Sequence, residues 1–235
     1  MQRDVTFACD DGHSMRGVLT VPEGIRDERR PALLLLYEIF GLNEAMRRVA
    51  RDFAAQGYVV LIPDLYDRGH RALCIASTLR AMKRGHGQAI DDLEAARRYL
   101  VACPEVDPER IGVIGFCMGG AFTLVLATQG RYRAAAPFYG PVPDVMPQAC
   151  PIVASFGALD KPYRDDPEKL RRRLQQLGAP HDIKVYEGVG HSFYTPMDSA
   201  IMRKLGPLLP LHAAYDEPAA LDARKRVLDF FDEHL

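Results

Sequence analysis

Ile111-Gly112-Val113-Ile114-Gly115-Phe116-Cys117-Met118-Gly119-Gly120-Ala121-Phe122-Thr123-Leu124 is the stretch that decides the fold. Its first six residues are apolar, β-branched or glycine, the composition of a strand buried on both faces. From Met118 to Thr128 the spacing is helical. Between the two lies Gly115-x-Cys117-x-Gly119, a sharp strand-to-helix turn with cysteine where serine more often stands. The flanking glycines let neighbouring backbone approach without a Cβ clash. The free N–H groups and positive dipole end of the following helix favour a thiolate at Cys117, and the Met118 N–H is placed to donate to an oxyanion. A phosphate-binding loop fits less well. No lysine follows the glycines, and the spacing of a dinucleotide fingerprint is missing.

Outward from this turn, the same alternation recurs. Val5 to Ala8 and Met15 to Val21 read as a hairpin about Asp10-Asp11-Gly12. Ala32 to Tyr37 is an unbroken apolar strand, followed by Asn43 as N-cap of a helix that buries Met46, Val49, Ala50 and Phe53, with Gly57 as its closing C′ residue. Strands follow at Val59–Ile62, Ala134–Tyr139, Ile152–Phe156 and Ile183–Tyr186, with helices at Gln88–Ala102, near Glu168–Leu177 and at Ala219–Glu233. The last helix is expected to bury Ala220, Ala223, Val227 and Phe230. Strands alternating with helices predict a mostly parallel sheet with helices on both faces, in one domain over residues 1–235. Residues 64–87 break the pattern and read as a lid, a binding loop or a surface excursion with a short helix.

Composition narrows the function. The chain of 235 residues carries 30 basic and 31 acidic side chains, with no block of like charge, which speaks against nucleic acid or an anionic membrane as partner. No apolar run reaches membrane-spanning length and none has the form of a signal peptide. Five cysteines at irregular spacing, without CxxC, fit neither a disulfide framework nor a zinc site, so the expected address is a reducing cytoplasm. No metal and no cofactor are expected.

In an open parallel sheet, chemistry gathers in the loops after the strands. The order nucleophile, acid, histidine that goes with a Gly-x-nucleophile-x-Gly turn is met by Cys117, then Asp160 after Ser155-Phe156-Gly157, then His191 after Val185-Tyr186. Here His191 is the general base, and Asp160 fixes its tautomer and stabilises the imidazolium. His181 lies before its strand and His234 in the last helix. Glu38 ends an apolar strand, where an acid is costly to desolvate unless it has a task or an arginine partner. The loop it opens supplies the second oxyanion N–H, assigned to Ile39.

Together Glu38-Ile39-Phe40-Gly41, Pro63-Asp64-Leu65-Tyr66, Gly115-Phe116-Cys117-Met118-Gly119-Gly120, Asp160 and Gly190-His191-Ser192-Phe193 make the chain resemble the dienelactone hydrolase family, the carboxymethylenebutenolidases. The resemblance implies an α/β-hydrolase fold and cleavage of a small-molecule ester or lactone through a thioester on Cys117. His191 and Asp160 would complete the triad, and Glu38 would act as a helper that meets the resting thiol until substrate displaces it. Phe40, Tyr66, Arg71, Arg80, Phe193 and Tyr194 are the expected substrate contacts. One departure stands out. Members acting on dienelactone commonly carry an arginine shortly after His-Ser-Phe, whereas here Tyr194-Thr195 follow. Arg71, Arg80 or Lys83 are the candidates for that task, or the substrate is less acidic. A ligand-binding or sensor protein on the same scaffold, a thioesterase and a peptidase remain alternatives; the oligomeric expectation is a monomer or small homo-oligomer.

Overall fold

The computed structural model describes residues 1–24, 28–196 and 204–235, and the side chains of Arg71 and Lys83 lie outside the described residues. Eight strands form one sheet in the order β1-β2-β4-β3-β5-β6-β7-β8. They are β1 (Gln2–Ala8), β2 (Ser14–Thr20), β3 (Arg30–Leu36), β4 (Val59–Pro63), β5 (Val106–Phe116), β6 (Ala134–Phe138), β7 (Ile152–Gly157) and β8 (His181–Tyr186). β2 runs antiparallel to both β1 and β4, and every other pair is parallel. This is the α/β-hydrolase fold that the sequence predicts.

The interior strands are apolar on both faces because helices cover both. All five residues of β4 are buried, and so are those of β6 and β7. α1 (Glu44–Ala54) starts at Asn43, whose side chain accepts from the Met46 N–H at 3.0 Å. It buries the predicted stripe of Met46, Val49, Ala50 and Phe53. Its C-cap is Ala55, so Gly57, with positive φ, stands one position beyond the expected C′ and closes the turn that leads into β4. α3 (Gln88–Ala102), α4 (Met118–Ala127) and α5 (Asp166–Leu177) lie where their periodicity places them.

Of the readings open for residues 64–87, the one with a helix is met, and the helix is longer than expected: α2 (Arg71–Arg84) occupies most of the segment and packs on α3 and α4. Its entry is tied down by Arg68, which reaches Asp92 of α3 (Nε···Oδ2 2.7 Å) and Asp11 of the hairpin (Nη1···Oδ2 2.6 Å). The last helix, α6 (Glu217–His234), buries Phe231 rather than Phe230. Position 231 lies four residues after Val227 and stays on its face, whereas Phe230 turns aside to meet the His234 ring at 4.3 Å. Finally, His181 opens β8 instead of preceding it.

Candidate active site

Four chain segments converge after the carboxyl ends of β3, β5, β7 and β8. The turn between β5 and α4 holds Cys117 at φ 54°, ψ −115°, a region that an L-residue enters only under constraint from its surroundings. The constraint is visible. The Cys117 N–H donates to the Phe138 carbonyl at 3.1 Å, and its own carbonyl accepts from the Ala121 N–H at 3.1 Å. A methyl group on Gly119 would overlap the Leu36 carbonyl, and one on Gly120 would overlap that of Phe138. The two glycines therefore let α4 start directly against the ends of β3 and β6, with the thiol at the apex of the bend.

Asp160 follows β7 at the entry to a single 3-10 turn, Lys161–Tyr163. His191 lies past β8, where its N–H donates to the Leu211 carbonyl at 2.8 Å and its carbonyl accepts from Ala214 at 3.1 Å. The two loops approach because Gly157 has no side chain: a Cβ there would strike the backbone of Gly190. His191 Nδ1 and Asp160 Oδ2 are 2.6 Å apart, and both residues are almost wholly buried. The other ring nitrogen faces the nucleophile, since a hydrogen bond links the His191 and Cys117 side chains. Burial works against a charged imidazole. The hydrogen bonds to Asp160 and Cys117, with the negative charge of both, outweigh it and push the His191 pKa from 6.5 up to about 10. The second carboxylate oxygen of Asp160 is buried without a partner among the described residues.

Glu38 is buried beside this trio. Its Oε1 accepts from the Tyr139 hydroxyl at 3.0 Å, and Ser192 supplies a second hydrogen bond. Burial lifts its pKa above the ordinary carboxylate range, against the opposing pull of the His191 charge and these two donors. No arginine pairs with it among the described residues. Its hydrogen bonds run to the hydroxyls of Tyr139 and Ser192. Ile39 and Phe40, next in sequence, are partly exposed at the edge of the site. Among the described residues, neither the Ile39 nor the Met118 N–H donates to a backbone acceptor, as an oxyanion pair requires.

The remaining candidates divide. Tyr66 is turned inward, its hydroxyl donating to the Ile39 carbonyl at 3.2 Å. Arg80 is exposed on α2, and the Arg71 side chain lies outside the described residues. Phe193 and Tyr194 are not at an open surface. Phe193 packs on Tyr139 and Tyr186, and Tyr194 on Phe116 and Phe138, so both belong to the aromatic core beneath the site. Sequence reasoning missed Tyr139, Tyr163 and Ser192. Tyr139 and Tyr163 put their rings against His191 at centroid distances of 4.9 and 5.8 Å. Tyr139 and Ser192 both have positive φ, a signal that residue type does not announce. Among the described residues no group of three or more His, Cys, Asp or Glu side chains is arranged to hold a metal ion. Nor is any described helix long and apolar enough to cross a membrane.

Comparison with known proteins identifies the family. The dienelactone hydrolase family profile matches residues 15–235. A carboxymethylenebutenolidase from Rhodococcus opacus is 27% identical over 220 residues, covering 86% of this chain and 81% of that protein. Among solved structures, a dienelactone hydrolase-like promiscuous phosphotriesterase from metagenomic libraries superposes with a TM-score of 0.83 at 25% identity, covering 100% of this chain and 98% of that one. Thermogutta terrifontis esterase 2, at 14% identity and a TM-score of 0.71, shares the fold; the match covers 99% of this chain and 94% of that one. The chain belongs to the dienelactone hydrolase family.

Proposed function

We propose that this member of the dienelactone hydrolase family cleaves small esters or lactones by acyl transfer through Cys117. The observation that carries the reading is a single buried imidazole, His191, bonded on one side to Asp160 and on the other to the Cys117 thiol. His191 takes the Cys117 proton, and the sulfur attacks the substrate carbonyl carbon. The carbonyl oxygen becomes an oxyanion held by the N–H groups of Ile39 and Met118. As the tetrahedral centre collapses, the C–O bond to the leaving group breaks and His191 gives its proton to the departing oxygen. A thioester on Cys117 remains. Water, deprotonated by His191, attacks it, and the thiolate leaves as the acid product forms.

Glu38, held by Tyr139 and Ser192, sets the local field around this pair. The Rhodococcus relative's name points to a lactone substrate. Tyr194 and Thr195 are both buried and uncharged, which favours a neutral ester or lactone over one anchored there through its carboxylate. In this reading the 235 residues are one domain that works without a cofactor in a reducing compartment, as a monomer or small homo-oligomer. The test is turnover of a chromogenic short-chain ester and a panel of lactones, with an acyl mass increment on Cys117 at early times. Cys117→Ala should abolish both; hydrolysis that survives this substitution defeats the reading.

A further inference from the structure

The two N–H groups assigned to the oxyanion hole come from different loops, so something must fix the distance between them. Ile39 sits in the turn after β3, closed by the Gly41 N–H donating to the Glu38 carbonyl at 2.9 Å. The peptide between Ile39 and Phe40 is the central one of that turn. Its carbonyl belongs to Ile39, whereas the N–H assigned to the oxyanion hole lies in the preceding peptide, so an anchor on that carbonyl acts on the N–H through the Ile39 Cα they share. Met118 opens α4 on a separate strand–helix unit. A third loop, after β4, brings Tyr66 between them. Its hydroxyl donates to the Ile39 carbonyl at 3.2 Å and lies 3.6 Å from the Met118 sulfur. Tyr66 is itself held: its N–H donates to Asp64 Oδ1 at 3.1 Å, and its ring packs on Tyr37 at 5.2 Å. Tyr37 in turn donates to the same Asp64 oxygen at 3.3 Å. The Pro63-Asp64-Leu65-Tyr66 motif thus ends in a phenol that touches both sides of the oxyanion site.

We infer that Tyr66 is a positioning residue for the oxyanion hole: its hydroxyl pins the Ile39–Phe40 peptide and ties that turn to the start of α4. The inference rests on the hydrolase reading above and adds to it a residue that never touches the reacting atoms. Tyr66→Phe keeps the ring and its packing and removes only the hydroxyl. With p-nitrophenyl acetate, kcat should fall about three- to tenfold, the worth of one neutral hydrogen bond, while KM stays unchanged. Alkylation of Cys117 by iodoacetamide should keep its wild-type rate, because displacement at an alkyl halide builds no oxyanion. An unchanged kcat overturns the inference. So does a matching fall in the alkylation rate, which would put the damage in the Cys117–His191 pair instead. Failure of the underlying reading shows elsewhere, as hydrolysis persisting in Cys117→Ala.

Discussion

Asp160→Asn tests the electrostatics of the site most directly. The carboxylate accepts from His191 Nδ1 at 2.6 Å with both groups excluded from water. A hydrogen bond to a charged partner is worth about 1.5–3 kcal/mol, so its loss alone lowers kcat by roughly ten- to 150-fold. An asparagine amide that donates to Nδ1 adds a second penalty. It drives the remaining ring proton onto the nitrogen that faces Cys117, where it blocks proton transfer from the thiol. The combined expectation is a loss of about 10²–10⁴ in kcat, with KM changed less than about twofold.

The pH profile carries an independent signature. His191 stays protonated until pH rises through about 10, and Asp160 is the first of the groups holding it there. The alkaline limb of kcat/KM in the wild type should therefore lie near pH 10 and move to lower pH in the variant. Stability should follow the same sign. A histidine raised above 6.5 contributes stability in full below that pH and loses it as pH rises through about 10. The wild type should lose a few kcal/mol across that interval and the variant much less, measured by urea denaturation at intervals between pH 6 and 10. A variant with activity within threefold of wild type, or with an unmoved alkaline limb, refutes the reasoning.

Gly119→Ala forces a methyl group into the Leu36 carbonyl, with the Tyr37 oxygen only 2.8 Å away, and should cost about 3 kcal/mol or more, seen as a lowered thermal midpoint. Tyr139→Phe removes a donor from a buried carboxylate and should destabilise by about 1–3 kcal/mol. Because burial holds the Glu38 pKa above 4.5, its contribution weakens as pH climbs past that value, so urea midpoints should separate further at pH 8 than at pH 5. Phe231→Ala should cost about 3–5 kcal/mol and Phe230→Ala far less, and equal costs would contradict the phase of α6.

The fold was legible wherever burial is apolar and regular. The all-apolar strands β3 and β4, the Asn43 cap and the Gly115–Gly120 turn each announce themselves through residue type. α2 did not, because among the described residues its fully buried positions are Cys74, Thr78 and Ala81, small or polar side chains, while its larger apolar residues Ile75, Leu79 and Met82 are only half-buried. Its N-cap, His70, makes no capping hydrogen bond with its side chain. The register of α6 was ambiguous between two adjacent phenylalanines, and only packing against Tyr58 separates them. In the site, Cys117, Asp160, His191 and Glu38 could be placed because each lies in the loop or turn that follows a strand. Tyr139 follows one too, yet it looks like the last residue of an aromatic strand. Its reach to Glu38 depends on a φ of 37° that nothing in its neighbours predicts.

The parallel sheet has a temporal consequence. Glu38, Cys117, Asp160 and His191 are drawn from segments spread over more than 150 residues of chain, and β3, which leads into Glu38, pairs with β5, which leads into Cys117, with Ala32 opposite Ile111. Such distant pairings form late and slowly, since the intervening chain must be closed before they give anything back. Fluorescence or circular dichroism should therefore recover ahead of esterase activity during refolding. Turnover would act as a clock for the last strand to dock.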